Sequence, residues 1–274
     1  MSNTILLTGA TGFVGRQVLR SLVASGTSVR VVVRGDSESR LPDLPIEAIV
    51  TSADIFNESA AWWATACEGI DTVVHVAWYA EPGKYLQSSL NLNCLSGTIQ
   101  LAQGVAQAKV RRFVGVGTCF EYELSSEPLA IDAPLRPLTP YAGAKAAAFM
   151  ALQHSLPAQS IEFAWCRLFY LYGEGEDERR LVPYLHSRLA VGQVAELTSG
   201  TQVRDFLDVK VAGQMIADIA LGYRCGAANI CSAVPITIRQ MAEQVADEYG
   251  RRDLLKFGAR PDNITDPAFV VGVS

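Results

Sequence analysis

No stretch of the 274 residues holds the roughly eighteen consecutive apolar positions that a membrane-crossing helix needs. The chain opens MSNTILLTGATG, without a basic leader segment or a long apolar run after it, so the expected location is the cytoplasm. An excess of positive charge is also missing. Lys and Arg number 23 against 28 Asp and Glu, a net −5. A phosphate backbone calls for a basic surface, so nucleic acid is excluded as the main partner. The arginine pairs at 111–112 and 251–252 read as solvated faces. Histidine is scarce, with His75, His154 and His186 far apart, and the six cysteines form no Cys-x-x-Cys pair, so no metal site is expected. The cysteines read as small side chains in a reducing compartment. Internal repeats and low-complexity tracts are absent.

What is present is a chain that is 49% hydrophobic and 19% charged, ample for a packed core. Its length suits one large domain or one and a half. Aliphatic and β-branched runs at 4–9, 28–34, 72–78, 111–118 and 161–169 predict strands. Helical periodicity at 13–26, 57–69, 90–109 and 139–153 separates most of them. Strands and helices alternating at this pace predict an α/β fold, a doubly wound parallel sheet of the Rossmann kind. Strand C-terminal ends then share one edge, where ligands bind. After residue 169 the rhythm changes. Charged YGEGEDERR gives way to a helix at 181–193, an extended piece and helix at 204–221, and a helix at 235–250. The expected division is a dinucleotide-binding domain over 1–169, with 203–224 returning to it. A smaller, discontinuous C-terminal substrate-binding lobe takes 170–202 and 225–274.

TGATGFVG, residues 8–15, lies between the first strand and first helix. Gly9, Gly12 and Gly15 there would allow a tight turn, close approach of a pyrophosphate, and close helix–strand packing. The helix start offers unpaired N–H groups to phosphates. Gly9, Thr11, Gly12, Phe13, Val14 and Gly15 are therefore the expected dinucleotide cradle. The second strand ends VVVRGDSE. Arg34, joined by Arg16, would clamp a 2′-phosphate, whereas Asp36 could take a ribose 2′-OH instead. The arginine favours NADP (NADPH), with NAD the alternative.

TPYAGAK places Tyr141 and Lys145 four residues apart, on one helix face. Thr139 is the expected N-cap, and Pro140 suits the first helical turn. A phenol beside an ammonium can exchange a proton near neutral pH, because the cation favours the phenolate. An isolated pair of this kind is usually a surface stack. Its weight comes from sharing a chain with the glycine cradle.

In that combination the sequence resembles the extended short-chain dehydrogenase/reductases, which are nucleotide-sugar epimerases, dehydratases and reductases. TGATGFVG matches their glycine loop. ADIFN (53–57) resembles the adenine contact and implies Asp54 and Ile55, and HVAW (75–78) implies Ala77 at the cofactor edge. RLFYLYGEG (167–175) and RDFLDV (204–209) resemble later segments, the second implying that Arg204 meets the substrate's phosphates. The resemblance implies Thr118 as the third catalytic residue beside Tyr141 and Lys145, with Tyr122 as its marker. Thr118, Cys119, Phe120, Tyr170 and Arg204 become the substrate-side positions. It also implies a homodimer, through helices near 93–108 and 140–155, and a C-terminal lobe shorter than usual.

Departures from the pattern narrow the activity. The Asp-Glu pair of the dehydratases falls on Cys119 and Phe120, which can move no proton between carbons. The asparagine of the Asn-x-x-Gly-Thr helix falls on Cys94, although Asn91 and Asn93 are close, and that of Arg-x-x-Asn falls on Tyr170. Glu121 and Glu123 read as facing solvent or capping the loop. Trp78, Tyr79 and Tyr85 are expected on a loop over the cofactor, there to stack on substrate or to pack as a lid. The activity implied is NADPH-dependent reduction of a nucleotide-linked 4-keto-6-deoxy sugar. The alternatives are an NAD-retaining nucleotide-sugar 4-epimerase and a non-catalytic dinucleotide-sensing regulator.

Overall fold

A computed structural model describes residues 4–263 and 266–273. Six strands follow one another through the first two-thirds of the chain: β1 (Thr4–Thr8), β2 (Ser28–Arg34), β3 (Ala48–Ser52), β4 (Thr72–His75), β5 (Arg112–Thr118) and β6 (Glu162–Leu168). Helices α1 (Phe13–Ala24), α2 (Ala60–Ala66), α3 (Leu90–Gln107) and α4 (Pro140–Ser155) connect them. Beyond these lie β7 (Tyr170–Tyr172), α5 (Leu181–Leu189), β8 (Ala195–Glu196), β9 (Val203–Asp208), α6 (Val209–Leu221), β10 (Gly226–Ile230), β11 (Pro235–Thr237), α7 (Ile238–Glu248), β12 (Leu255–Lys256) and β13 (Phe269–Val270).

The main sheet has the order β10-β6-β5-β4-β1-β2-β3 and is parallel throughout. Both faces are covered, which is why β1, β4 and β5 are buried along their whole length. On one face Val18, Leu19 and Leu22 of α1 and Ala212 and Ile216 of α6 share a core with Ile5, Leu7 and Val114. On the other, Trp63 of α2, Leu101 and Val105 of α3, and Phe149 and Leu152 of α4 pack on Leu6, Val73 and Phe113. Strand order reverses between β1 and β4, so the loops leaving them part and open a crevice at their C-terminal ends.

Two strands of the main sheet are not evident from apolar patterning. β3 alternates exposed and partly buried residues at the sheet edge. β10 is Gly-Ala-Ala-Asn-Ile, poor in β-branched residues, yet it pairs with β6 from Ala164 to Leu168. Gly226–Ile230 thus stands in the main sheet and not in the smaller lobe, where the chain pattern put 225–274. Tertiary pairing outweighs local propensity at an edge of this kind. The smaller lobe gathers α5 and α7 around Leu185, Leu189, Ala242 and Val245. Its sheet has β9 between β11 and β13, with β7 also pairing β9.

Candidate active site

The crevice floor is the loop after β1. Gly9 sits at φ +79°, where L side chains are strained, and a Cβ on it would meet Ala77 N at 2.7 Å. A Cβ on Gly15 would lie 2.0 Å from Gly9 O. Both positions need glycine because backbone meets backbone there. Gly12 caps α1 without a side-chain hydrogen bond, the first turn holds no acid, and Gly12 itself is exposed. The N–H groups and positive dipole end of α1 therefore face the crevice uncancelled, as a pyrophosphate requires.

The second expected contact divides. Arg34 is exposed at the end of β2, and Arg16 lies against the loop after β7. Its Nη2 donates to Thr11 O at 3.3 Å, and a Cβ on Gly175 would lie 3.1 Å from its Nη1. Arg16 faces the loop after β7, with its buried Nε lacking a hydrogen bond. Asp54 folds onto its own turn, accepting Phe56 N at 3.0 Å and Asn57 Nδ2 at 2.8 Å, and Ile55 is buried in the core.

The end of β4 is fastened by a buried hydrogen-bond chain. Ala77 N donates to Thr8 Oγ1 at 3.3 Å, and Thr8 Oγ1 lies 2.8 Å from His75 Nδ1. His75 Nε2 lies 2.9 Å from Thr98 Oγ1, which donates to Cys94 O at 2.8 Å. Because both threonine oxygens already have their other partner, the proton is assigned to Nε2. Burial first, and the Lys145 charge second, push His75 down to about 3, so it stays neutral.

Thr118 ends β5 and is buried. The Thr-x-x-Glu spacing makes a capping box there, with Phe120 N on Thr118 Oγ1 and Thr118 N on Glu121 Oε1. Glu121 is fully buried and does not face solvent, whereas Glu123 pairs with Arg136 at the surface. That spacing was the signal in the sequence. Burial pushes the Cys119 thiol up to about 12, so it holds no charge near neutrality. Phe120 lies edge-on to Tyr170.

α4 begins as its sequence directs, with Thr139 Oγ1 accepting Ala142 N at 3.1 Å and Pro140 in the first turn. Tyr141 shares one face of the helix with Lys145. The Lys145 Nζ donates to Val116 O at 2.5 Å and lies 3.8 Å from the Trp78 ring centroid. Burial raises Tyr141 above its ordinary range, Tyr85 and Glu121 add to this, and a hydrogen bond with the Thr118 hydroxyl works against it. Tyr141 is therefore a protonated acid. Burial lowers Lys145 to about 7, although Glu121 and Cys94 oppose the shift.

An aromatic wall surrounds the phenol: Tyr85 at 4.8 Å between ring centroids and Trp78 at 6.5 Å. Trp78 is set by Nε1 donating to Asn91 Oδ1 at 2.8 Å, and Asn91 donates in turn to Tyr85 O and Ser88 O. Asn91 thus has a structural partner set, while Cys94 Sγ accepts Tyr79 N. The loop after β7 reaches across, with Glu174 on Arg20 at 2.8 Å and the Arg180 charge acting on Tyr85. Arg204 is buried, beside Asp266 at 2.9 Å and 5.0 Å from the Tyr170 ring. Thr118, Tyr141, Lys145, Trp78 and Tyr85 are thus brought together, and Arg204 with Tyr170 forms a neighbouring group. Glu121 and Arg180 carried no site assignment from sequence.

A parallel sheet with a glycine cradle at its reversal point and a Thr, Tyr, Lys cluster beside it agrees with comparison to known proteins. The NAD dependent epimerase/dehydratase family model matches residues 5–217. The chain belongs to that family. Within it, a dTDP-6-deoxy-L-talose 4-dehydrogenase (NAD(+)) of Aggregatibacter actinomycetemcomitans is 25% identical over 270 residues, 98% of each chain. A dTDP-6-deoxy-L-talose 4-dehydrogenase (NAD(P)(+)) of Kitasatospora kifunensis is 26% identical, over 90% of this chain and 79% of its own. The UDP-N-acetylglucosamine 4-epimerase of Methanobrevibacter ruminantium M1, in complex with UDP-N-acetylmuramic acid, superposes with TM-score 0.87 at 20% identity. That match covers 99% of this chain and 89% of the epimerase, and it shows the shared fold. As a member of this NAD(P)-dependent sugar-nucleotide dehydrogenase, epimerase and dehydratase family, the chain is an oxidoreductase-type enzyme. Among the described residues no helix is long and apolar enough to cross a membrane, and no His, Cys, Asp and Glu group could hold a metal.

Proposed function

We propose that the protein reduces a nucleotide-linked 4-keto-6-deoxy sugar with NADPH. The observation that carries this reading is a protonated Tyr141 close to Thr118 at the end of β5, beside the cradle of Gly9, Gly12 and Gly15. The cradle fits a pyrophosphate by its uncapped helix start, and Arg34 at the end of β2 suits a 2′-phosphate. When bound, the nicotinamide supplies the hydride.

Tyr141 donates its phenolic proton to the carbonyl oxygen, and the Thr118 hydroxyl holds that oxygen in line. The neighbouring Lys145 ammonium offsets charge left on the phenol. The aromatic wall of Trp78, Tyr85 and Phe120 excludes water and offers C–H contact to a deoxy sugar. Arg204 would meet the substrate's phosphates after exchanging Asp266 for them. Cys119 and Phe120 supply no acid, which weighs against dehydration. Similarity to two 6-deoxysugar 4-dehydrogenases supports chemistry at C4.

A second reading, the NAD-retaining 4-epimerase, is favoured by the strap of Glu174 and Arg180 over the crevice, which would slow cofactor release. The test is purified protein with NADPH and a nucleotide-linked 4-keto-6-deoxy sugar. Stoichiometric NADPH consumption is expected, and interconversion of C4 epimers without net consumption would replace this reading with the epimerase. NADPH binding without turnover of any keto sugar would indicate a sensor.

Exposed Leu92 on α3 and Met150 on α4 support a homodimer formed through those helices. Six free cysteines, five of them buried, support a cytoplasmic location.

A further inference from the structure

Glu121 joins the end of β5 to β6. Its Oε1 accepts Thr118 N at 2.9 Å and Trp165 Nε1 at 3.0 Å, and its Oε2 accepts Arg167 Nε at 2.8 Å. Arg167 Nη1 donates to Tyr122 OH at 3.0 Å, and that hydroxyl donates to Asn229 Oδ1 at 2.7 Å. Both members of the Glu121–Arg167 pair are buried, with side chains 0% and 1% exposed. A Cβ on Gly117 would lie 2.2 Å from Glu121 Oε1, so the strand admits the carboxylate only by having glycine there.

Stability does not explain such a pair, since a well-packed apolar pair often serves a core as well or better. Its position does. The carboxylate fixes the backbone of Thr118, and its charge acts on both Tyr141 and Lys145.

We propose that Glu121 is a positioning residue for the Thr118–Tyr141–Lys145 unit, fixing the end of β5 and presenting a negative charge to the phenol and the ammonium. This rests on the functional reading of that unit given above. Tyr141 is faced by Tyr85 from the β4–α3 connection and by Thr118, Cys119 and Glu121 from the end of β5. Lys145 is faced by Trp78 and His75 from β4 and the loop after it, Cys94 from α3, Trp165 from β6, and Glu121. His75 at about 3 and Cys119 at about 12 are neutral near pH 7, which leaves Glu121 as the charge acting on both.

The test compares wild type with Glu121→Gln/Arg167→Met, which removes both charges and avoids a lone buried ion. Lys145 is titrated by NMR in ¹³C-lysine-labelled protein, its signal assigned by loss in Lys145→Met. Glu121 raises the ammonium's pKa, so the Lys145 midpoint is expected to fall by about half a pH unit or more in the double variant. In the reductive direction kcat is expected to fall about tenfold or more at unchanged KM, with its alkaline limb at lower pH. A folded double variant with a wild-type Lys145 titration or wild-type kcat overturns the proposal. Glu121→Asp keeps the ion pair on a shorter arm, so a wild-type titration with lowered kcat is expected, and wild-type kcat there also overturns it. If wild type turns over no nucleotide sugar, the functional reading fails while the titration still decides the role of Glu121.

Discussion

The Lys145 ammonium lies 3.8 Å from the centre of the Trp78 indole ring while donating to Val116 O. An ammonium so placed gains attraction from the ring face and loses its water. Ring and cation stand beside Tyr141, so a ligand reaching the phenol also meets the indole. Binding of the reduced dinucleotide is expected to change tryptophan emission, with most of that change absent in Trp78→Phe. A fluorescence titration of both proteins checks this, and equal changes would remove Trp78 from the site.

Tyr141→Phe and Thr118→Val are expected to lower kcat by about 10²- to 10⁴-fold, the usual weight of positioned proton transfer. Dinucleotide affinity should hold within a few-fold, since neither side chain belongs to the glycine cradle. Steady-state rates alongside equilibrium cofactor binding separate the two effects.

Burial lowers Lys145 from 10.5 to about 7, so between those values the unfolded chain binds the proton and the folded chain does not. Stability therefore rises with pH across that window, and the full cost of the buried ammonium is felt below pH 7. Lys145→Met should lose that dependence. Thermal midpoints measured from pH 6 to 9 are expected to climb more steeply for wild type than for the variant, and the variant is expected to be inactive.

Gly15→Ala puts a methyl 2.0 Å from Gly9 O, where only backbone could move. The strain is expected to cost about 1–3 kcal/mol and to widen the turn that cradles the pyrophosphate. Chemical denaturation gives the first quantity, and weaker binding of both NADH and NADPH the second.

Arg34 is exposed at the end of β2, so its removal should leave the fold unchanged. Arg34→Ala is expected to weaken NADPH binding by about tenfold or more while sparing NADH, as loss of one charge-assisted phosphate contact implies. Equal effects on both cofactors would assign the 2′ position to another group.

Regular elements were legible where one physical rule acted alone. β1 is buried along its whole length and β2 through Val31, Val32 and Val33, and the start of α4 follows from Thr139 and Pro140. The glycine turn after β1 was legible because backbone-to-backbone approach at Gly9 and Gly15 tolerates no other residue. β10 was not, since its alanines gain strand geometry only by pairing with β6.

By itself the sequence determined the parallel α/β plan, the glycine turn after β1, and the helical spacing that puts Tyr141 and Lys145 on one face. Only the tertiary structure decided how those two are charged. Spacing along a helix sets direction, but a pKa depends on what the rest of the chain packs around the group. Trp78 and Val116 O take up the Lys145 ammonium, burial with Tyr85 and Glu121 raises Tyr141, and residues up to 69 positions apart meet in the contacts that fix the ends of β4 and β5.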